Sequence, residues 1–466
     1  MQPGHLFSKD MNYTEAIKYL YSVRLFGTKL GLANTKHLLQ ELGHPEEKFF
    51  TIHVAGTNGK GSVCALVSSI LSQAGYKVGM FTSPHILSFR ERMRVGREMI
   101  PEEAVCHHLT KILPIIEEMS ENPALGHPTF FEIVTALAVD YFAASGAEFA
   151  VMETGMGGRL DATNALPSQI QVITAVGLEH TAYLGNSIPK IAWEKAGIIK
   201  EGATVVVGDE DAAAIEVIRR KVVEKKARIV QLGEDIKFEN RELKFPIQKL
   251  DVVSSERTYP GIVFPLLGRH QAANCCLAVA VVEELQRTGF STELQSIYAG
   301  IRKTRHPGRF EMIPGQPNIV LDAACNPHAC KALAETLSEV VRGLPLTLVA
   351  GFLRDKDYRR MCEILLPMAG KIVLTQPESQ RALSVGELYE TALSVVPEKD
   401  IQCIESAEES IGCALKLSPE DSFVCITGSN YLLGPARKAL GLGDLPEDFI
   451  LSESFGGDKR TATGGP

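Results

Sequence analysis

The chain has 466 residues, 45% of them apolar and 22% charged, which excludes a disordered, collagen-like or disulfide-stapled miniature protein. That is two or three domains of chain, and at this size about three quarters of the surface can be buried. With 48 basic and 56 acidic residues the net charge is −8, so no overall positive field attracts nucleic acid, and only local anion sites remain. Apolar runs are broken by charge or glycine well before the ~18 residues of a membrane helix, and the N-terminal stretch lacks the apolar core of a signal peptide. No membrane association and a cytoplasmic location are expected. The 10 cysteines include no C-x-x-C, which predicts reduced thiols rather than a disulfide framework or a structural zinc. The adjacent Cys275 and Cys276 read as small apolar helix residues.

In chain order, TIHVA from Thr51 predicts a strand, 62–73 a helix, KVGMFT a strand, then two helical stretches, then the strands AEFAVME and QVITAV. This is the rhythm of a parallel sheet covered on both faces. A charged, β-rich stretch follows over 229–265, then a helical pair ending near Gly300. A second alternation begins after Arg309, with NIVLDA, LTLVAG, KIVLTQ and SFVCITG as buried strands. Two α/β domains are therefore expected, over 1–301 and 309–453, joined by a linker at 302–308 around KTRHPG. The polar, glycine-rich end from 454 to 466 reads as a disordered tail.

The strongest local signal is HVAGTNGKGS, from His53 to Ser62, a glycine-rich turn between a predicted strand and a predicted helix. Backbone N–H groups of such a turn wrap phosphate oxygens, the helix N-terminus adds positive potential, and Lys60 supplies a mobile cation. The common G-x-x-x-x-G-K-[ST] spacing is not met, because position 54 is not glycine and Gly61 separates Lys60 from Ser62. Glu153 ends the apolar run EFAVM just before a glycine-rich turn. A carboxylate there suits Mg²⁺, or equally a helix cap or a solvated position. Read alone, His180 is a structural histidine or a metal ligand, and Lys195 in WEKAGI is a solvated helix lysine.

The G-T-N-G-K-G-S loop resembles the ATP loop of the Mur ligase superfamily. Further blocks narrow the resemblance to the folylpolyglutamate synthase and dihydrofolate synthase family. They are TSPHILSFRERMRV, TFFEIVTALA, METGMGGRLDATN and GLEHTAYLGNSIPKIAWEKAGIIK, then GRHQAAN, HPGRFE, DAACNPHA, DKD and TGSNYLLG. The resemblance runs from about Asn12 to about Leu440. It implies a Mur-ligase-like α/β fold of two domains, a doubly wound N-terminal domain with a P-loop and a smaller Rossmann-like C-terminal domain. It also implies an ATP-dependent amide ligase that adds L-glutamate to a folate, and to dihydropteroate, through an acyl phosphate, releasing ADP and phosphate. Phosphoryl transfer of this kind rests on positioning and charge neutralisation.

By the same resemblance, Asn58, Gly59, Lys60, Gly61 and Ser62 hold ATP, and Asn274, Arg309 and Asp322 hold it from the second domain's side. Ser83 and Glu153 bind one Mg²⁺, and Glu153 with His180 contacts a second. Lys195 is carbamylated, which inverts its charge and lets it support the second metal. Lys60, Glu153, His180 and Lys195 form the catalytic set. Thr129, Phe130, Phe131 and Glu132, with Leu160, Asp161 and Ala162 and with Gly27, Thr28 and Lys29, line the folate pocket. Phe130 and Phe131 either stack on a pterin or pack the core, and Asp161 matches the donor edge of an aminopyrimidinone. This chain departs from the family pattern where Ala323 replaces glycine and Cys325 replaces histidine, with His328 three residues on. A monomer acting on small molecules is expected. A cell-wall Mur-type peptide ligase is the second enzyme reading, opposed by the TSPH and GRLDATN blocks. A nucleotide-binding module without catalysis is the third, favoured by Cys325.

Overall fold

The computed structural model describes residues 11–23 and 31–442. Gly27, Thr28 and Lys29 and the expected tail lie outside the described residues. The first half is built on eight strands: β1 Phe50–Ala55, β2 Val78–Phe81, β3 Met93–Val95, β4 Glu98–Met99, β5 Phe149–Glu153, β6 Ile170–Ile173, β7 Thr204–Val207 and β8 Arg228–Gln231. Their order is β4-β3-β2-β5-β1-β6-β7-β8. Strands β2 and β5 to β8 run parallel to β1, whereas β3 and β4 add an antiparallel edge. That edge comes from RMRVGREM, whose charged, short pattern carries no strand signal in sequence.

The two faces of this sheet follow from the strand alternation. Phe149 and Val151 of β5 point to a core shared with helices Lys60–Gln73 and Arg269–Arg287. Ala150 and Met152 point to the opposite core, with helices Glu102–Glu121 and Phe130–Ala144. Strand β1 is the central one, flanked by β5 and β6, and the chain leaves it toward both sides. Its carboxyl end is thus a switch point, where open α/β sheets bind ligands.

The charged stretch forms a separate antiparallel sheet of β9 Ile236–Lys244, β10 Ile247–Ser254 and β11 Thr258–Phe264. Helices Arg269–Arg287, which buries Cys275 and Cys276, and Leu294–Lys303 follow. The second helix runs through Lys303, so the irregular connection begins at 304, two residues later than the linker read from sequence. The second half carries β12 Glu311–Ile313, β13 Asn318–Leu321, β14 Leu346–Ala350, β15 Lys371–Leu374, β16 Asp400–Cys403 and β17 Phe423–Thr427. Their order is β12-β13-β17-β14-β15-β16, parallel except for β12. The edge strands β12 and β16 were not legible in sequence, because neither is a buried apolar run. Helices cover both faces, again with alternating strand residues assigned to two cores.

Candidate active site

The glycine-rich turn leaves the carboxyl end of β1, and helix Lys60–Gln73 starts directly from it with Gly59 as N-cap at φ 92. The helix's first-turn amides, at Lys60, Gly61 and Ser62, have no intrahelical carbonyl to bond and present the positive end of the helix dipole. Gly56 is required: a Cβ there would lie 1.7 Å from Thr174 Oγ1. Lys60 curls back so that Nζ donates to Gly56 O at 3.1 Å and Thr57 O at 3.0 Å, and stands 4.0 Å from Glu153 Oε1.

Glu153, the last residue of β5, is buried, and its Oε2 accepts from the Ser83 amide at 3.0 Å. Burial raises its carboxyl above the usual range, opposed by Lys60, the Ser83 amide and Arg309. A buried carboxylate with one oxygen facing a cation, beside a serine, is a hard-oxygen site of the kind Mg²⁺ takes. Lys195 is buried on helix Ile188–Ala196, and its Nζ donates to the same Gly56 O at 2.6 Å. Burial first and the Lys60 charge second bring its ammonium down to about 7. His180 follows Glu179 with φ 51 and caps the short helix Thr181–Leu184. Among the described residues no group of three or more His, Cys, Asp or Glu side chains is arranged to hold a metal on its own.

The second half closes on this loop. Asn58 Nδ2 donates to Asn326 Oδ1 at 3.1 Å and lies 2.9 Å from His328 Nδ1, while Asn326 Nδ2 donates to Asn58 Oδ1 at 3.0 Å. Lys356, from the DKD block, pairs with Glu179 at 3.1 Å, both largely buried. Against the upward push of burial, Lys356, Lys60 and His180 bring Glu179 down to about 2. Asp322 is buried at the end of β13 and accepts from the amides of Phe310 and Ala324, both at 2.8 Å. The Arg309 charge acts on both Asp322 and Glu153 and so spans the two halves. Cys325 is partly exposed and feels the charges of Lys356 and Glu179; burial pushes its thiol up, so it brings no charge to the place of the family's histidine.

One sequence expectation is corrected. Asn274 does not approach from the second domain's side: it lies on helix Arg269–Arg287 of the first half, its Oδ1 2.6 Å from where a Cβ on Gly59 would sit. The reason is that this helix packs in the core behind β1, directly over the phosphate loop.

On the other side of the loop, Thr129 caps helix Phe130–Ala144 in a capping box with Glu132, whose Oε2 also receives Asn34 Nδ2 at 3.4 Å. Phe130 stacks on Tyr21 with centroids 5.8 Å apart, and Arg92 lies over its ring at 5.5 Å. Phe131 reaches over the glycine-rich turn, its Cζ 2.6 Å from a Cβ built on Gly155. Leu160 is partly exposed and Ala162 buried. Asp161 is buried and bonded within its own loop: Oδ2 accepts from Met156 N at 2.8 Å, and Oδ1 from Thr163 N at 3.1 Å and Thr163 Oγ1 at 2.5 Å. Sequence reading missed Glu179, Lys356 and Asn326 as individual residues, although all lie inside the GLEH, DKD and DAACNPHA blocks. What it lacked was the pairing of residues from distant blocks.

Residues 54–282 match the Mur ligase middle domain, and residues 308–430 match the Mur ligase glutamate ligase domain. The dihydrofolate synthase/folylpolyglutamate synthase of Bacillus subtilis (strain 168) is 35% identical over 436 residues, covering 92% of this chain and 99% of that protein. The chain belongs to the dihydrofolate synthase/folylpolyglutamate synthase family. Within the family, the folylpolyglutamate synthase of Mycobacterium tuberculosis, solved with ADP and AMPPCP, superposes with a TM-score of 0.86 at 31% identity over 93% of this chain and 100% of that one. The bifunctional Yersinia pestis enzyme, solved with AMPPNP and a Mn ion, gives 0.83 at 27% identity over 94% and 100%.

Proposed function

We propose that this chain is an ATP-dependent ligase that joins L-glutamate to folates and to dihydropteroate. The observation that carries the reading is that one phosphate loop, with Lys60 and Glu153, faces Arg309 and Asp322 of the second half within a family of such ligases. The acceptor's carboxylate takes the γ-phosphoryl group of ATP, and the glutamate amine displaces phosphate from the acyl phosphate. Amides 60–62, Lys60 and Arg309 neutralise the charge of the moving phosphoryl group. Ser83 and Glu153 hold one Mg²⁺, and Glu153 with His180 a second. With Ser83, Glu153 and His180 holding it, Mg²⁺ would supply positive charge to offset the charge that develops in phosphoryl transfer. Lys195, held near neutrality, is the carbamylated lysine of the second metal's surroundings.

In this reading the folate acceptor lies against Leu160, Asp161 and Ala162 and the segment Thr129, Phe130, Phe131 and Glu132. Asp161 and Glu132 commit their carboxylates to backbone amides, so they shape the pocket, while Phe131 and Leu160 give it surface. Residues 1–301 act as the ATP and folate unit, 309–453 as the glutamate unit, and the connection that begins at 304, after helix Leu294–Lys303, as the hinge. The ten free thiols, with no helix among the described residues able to cross a membrane, support a reducing cytoplasmic setting.

The test is glutamate-dependent ADP release with dihydropteroate, with tetrahydrofolate and with no pterin, the products resolved by mass. Release with both acceptors and a single added glutamate on dihydropteroate is expected. Release independent of glutamate, or of any pterin, would overturn the reading.

A further inference from the structure

Strand β1 carries a histidine that the reaction does not use. His53 lies between Ile52 and Val54, which point into the core behind the sheet, so its ring is directed to the opposite face and is fully buried. There its Nε2 lies 2.7 Å from Thr163 Oγ1. The Thr163 hydroxyl donates its only proton to Asp161 Oδ1 at 2.5 Å, so Nε2 must carry the hydrogen and donate to Thr163. Its other nitrogen, Nδ1, has no partner. A buried imidazole with an orphaned nitrogen costs stability relative to an apolar residue at the same place, so the bond that it does make calls for an explanation.

The chain of bonds has a geometric consequence. Asp161 ties the turn at 155–162 together through the amides of Met156 and Thr163. Three residues beyond His53, just past the end of the strand, Gly56 O accepts from both Lys60 and Lys195. One rigid strand therefore fixes the phosphate loop at its end and, through His53, the turn that bears Leu160 and Ala162.

We propose that His53 is a positioning residue for the folate acceptor: through Thr163 and Asp161 it sets the 155–162 turn at a fixed distance from the phosphate loop. The acceptor carboxylate must meet the γ-phosphate in line, and errors of an ångström at that step are costly. The proposal rests on reading this turn as part of the folate site.

The experiment is steady-state kinetics on the full-length chain, with kcat/KM for dihydropteroate and KM for ATP measured separately. His53→Leu and Thr163→Val should each lower kcat/KM for dihydropteroate about ten-fold, the size of one lost buried hydrogen bond, with the KM for ATP unchanged. His53→Gln, which keeps a donor near the Nε2 position, and Thr163→Ser, which keeps the hydroxyl, should restore it. Because both single changes cut the same chain, the double variant His53→Leu/Thr163→Val should be no worse than the worse single one. An equal change in the KM for ATP, additive losses in the double variant, or a His53→Gln as impaired as His53→Leu would overturn the proposal. If His53→Leu does not fold, the Thr163→Val and Thr163→Ser pair decides alone. A wild-type chain that binds neither dihydropteroate nor tetrahydrofolate would instead overturn the reading of the turn, and this proposal with it.

Discussion

Glu153 and Lys195 show how burial assigns chemistry to single side chains. Glu153 is removed from water with one oxygen on the Ser83 amide and the other facing Lys60, so a change that keeps its shape but removes its charge isolates its electrostatic part. Glu153→Gln should lose at least ~100-fold in turnover, as removal of a preorganised charge at a phosphoryl site does, and moderate extra Mg²⁺ should not restore it. Full activity of this variant at low Mg²⁺ would make the carboxylate structural. Lys195, brought down to about 7, is roughly half neutral near pH 7, and the neutral amine is the form that adds CO₂. Activation by bicarbonate should therefore grow as pH rises through 7. Lys195→Ala should be inactive and partly rescued by a short carboxylate, and unmodified Lys195 in crystals of the active, bicarbonate-supplied protein would contradict this.

At the scale of one element, the phosphate loop is shaped by what its glycines leave out. Gly56 sits at φ 149 against Thr174, where a methyl group would have to displace the neighbouring strand end. Overpacking of this kind costs ~1–3 kcal/mol, and here the displaced carbonyl is the one that receives both Lys60 and Lys195. Gly56→Ala should lower Tm by several degrees and abolish nucleotide binding measured by calorimetry. A variant that is destabilised yet binds ATP normally would separate the turn's packing from its phosphate geometry.

For the whole molecule, the two halves are joined by more than the connection at 304–310. The Asn58 and Asn326 amides, the Lys356–Glu179 pair, the Arg241–Glu339 pair at 2.5 Å and the edge contact of Phe245 on Phe423 all cross between them. Lys356→Ala leaves Glu179 buried without its counter-ion, a loss of roughly 3 kcal/mol for a pair of this burial. The ligand-free protein should then show a larger radius of gyration by small-angle scattering, with ATP and folate reversing the change; an unchanged radius would mean that this pair does not hold the two halves together. Stability should also fall in mild acid. Burial pushes His53 and His306 down to about 3 and His270 to about 4, so these rings stay neutral in the folded chain. Below the ordinary histidine value of about 6.5 the unfolded chain binds more protons than the folded one, and stability is lost progressively from there toward those lower values. Tm should drop between pH 7 and pH 5, and less so in His53→Gln, which has nothing to protonate there.

The sequence alone determined most of the strands that are short apolar runs, because burial on both faces of a parallel sheet demands unbroken Val, Ile and Ala, as in FAVME and FVCIT, although β7, TVVV, was not among those predicted. It also determined the phosphate loop, since a glycine-rich turn between strand and helix is a local feature that needs no distant partner. Edge strands β3, β4, β12 and β16 escaped it, because half-exposed pairing leaves no apolar signature. The site's assembly was decided only in three dimensions. Asn274 approaches the phosphate loop from the first half because its helix packs behind β1, and Glu179 gains its meaning from Lys356, which lies 177 residues away in sequence. Phe130 turned out to stack on Tyr21 and Asp161 to bind its own loop, since a buried ring or carboxylate takes whichever partner packing brings within reach. Composition and spacing name the groups a site can contain; the distances between strand ends decide which of them meet.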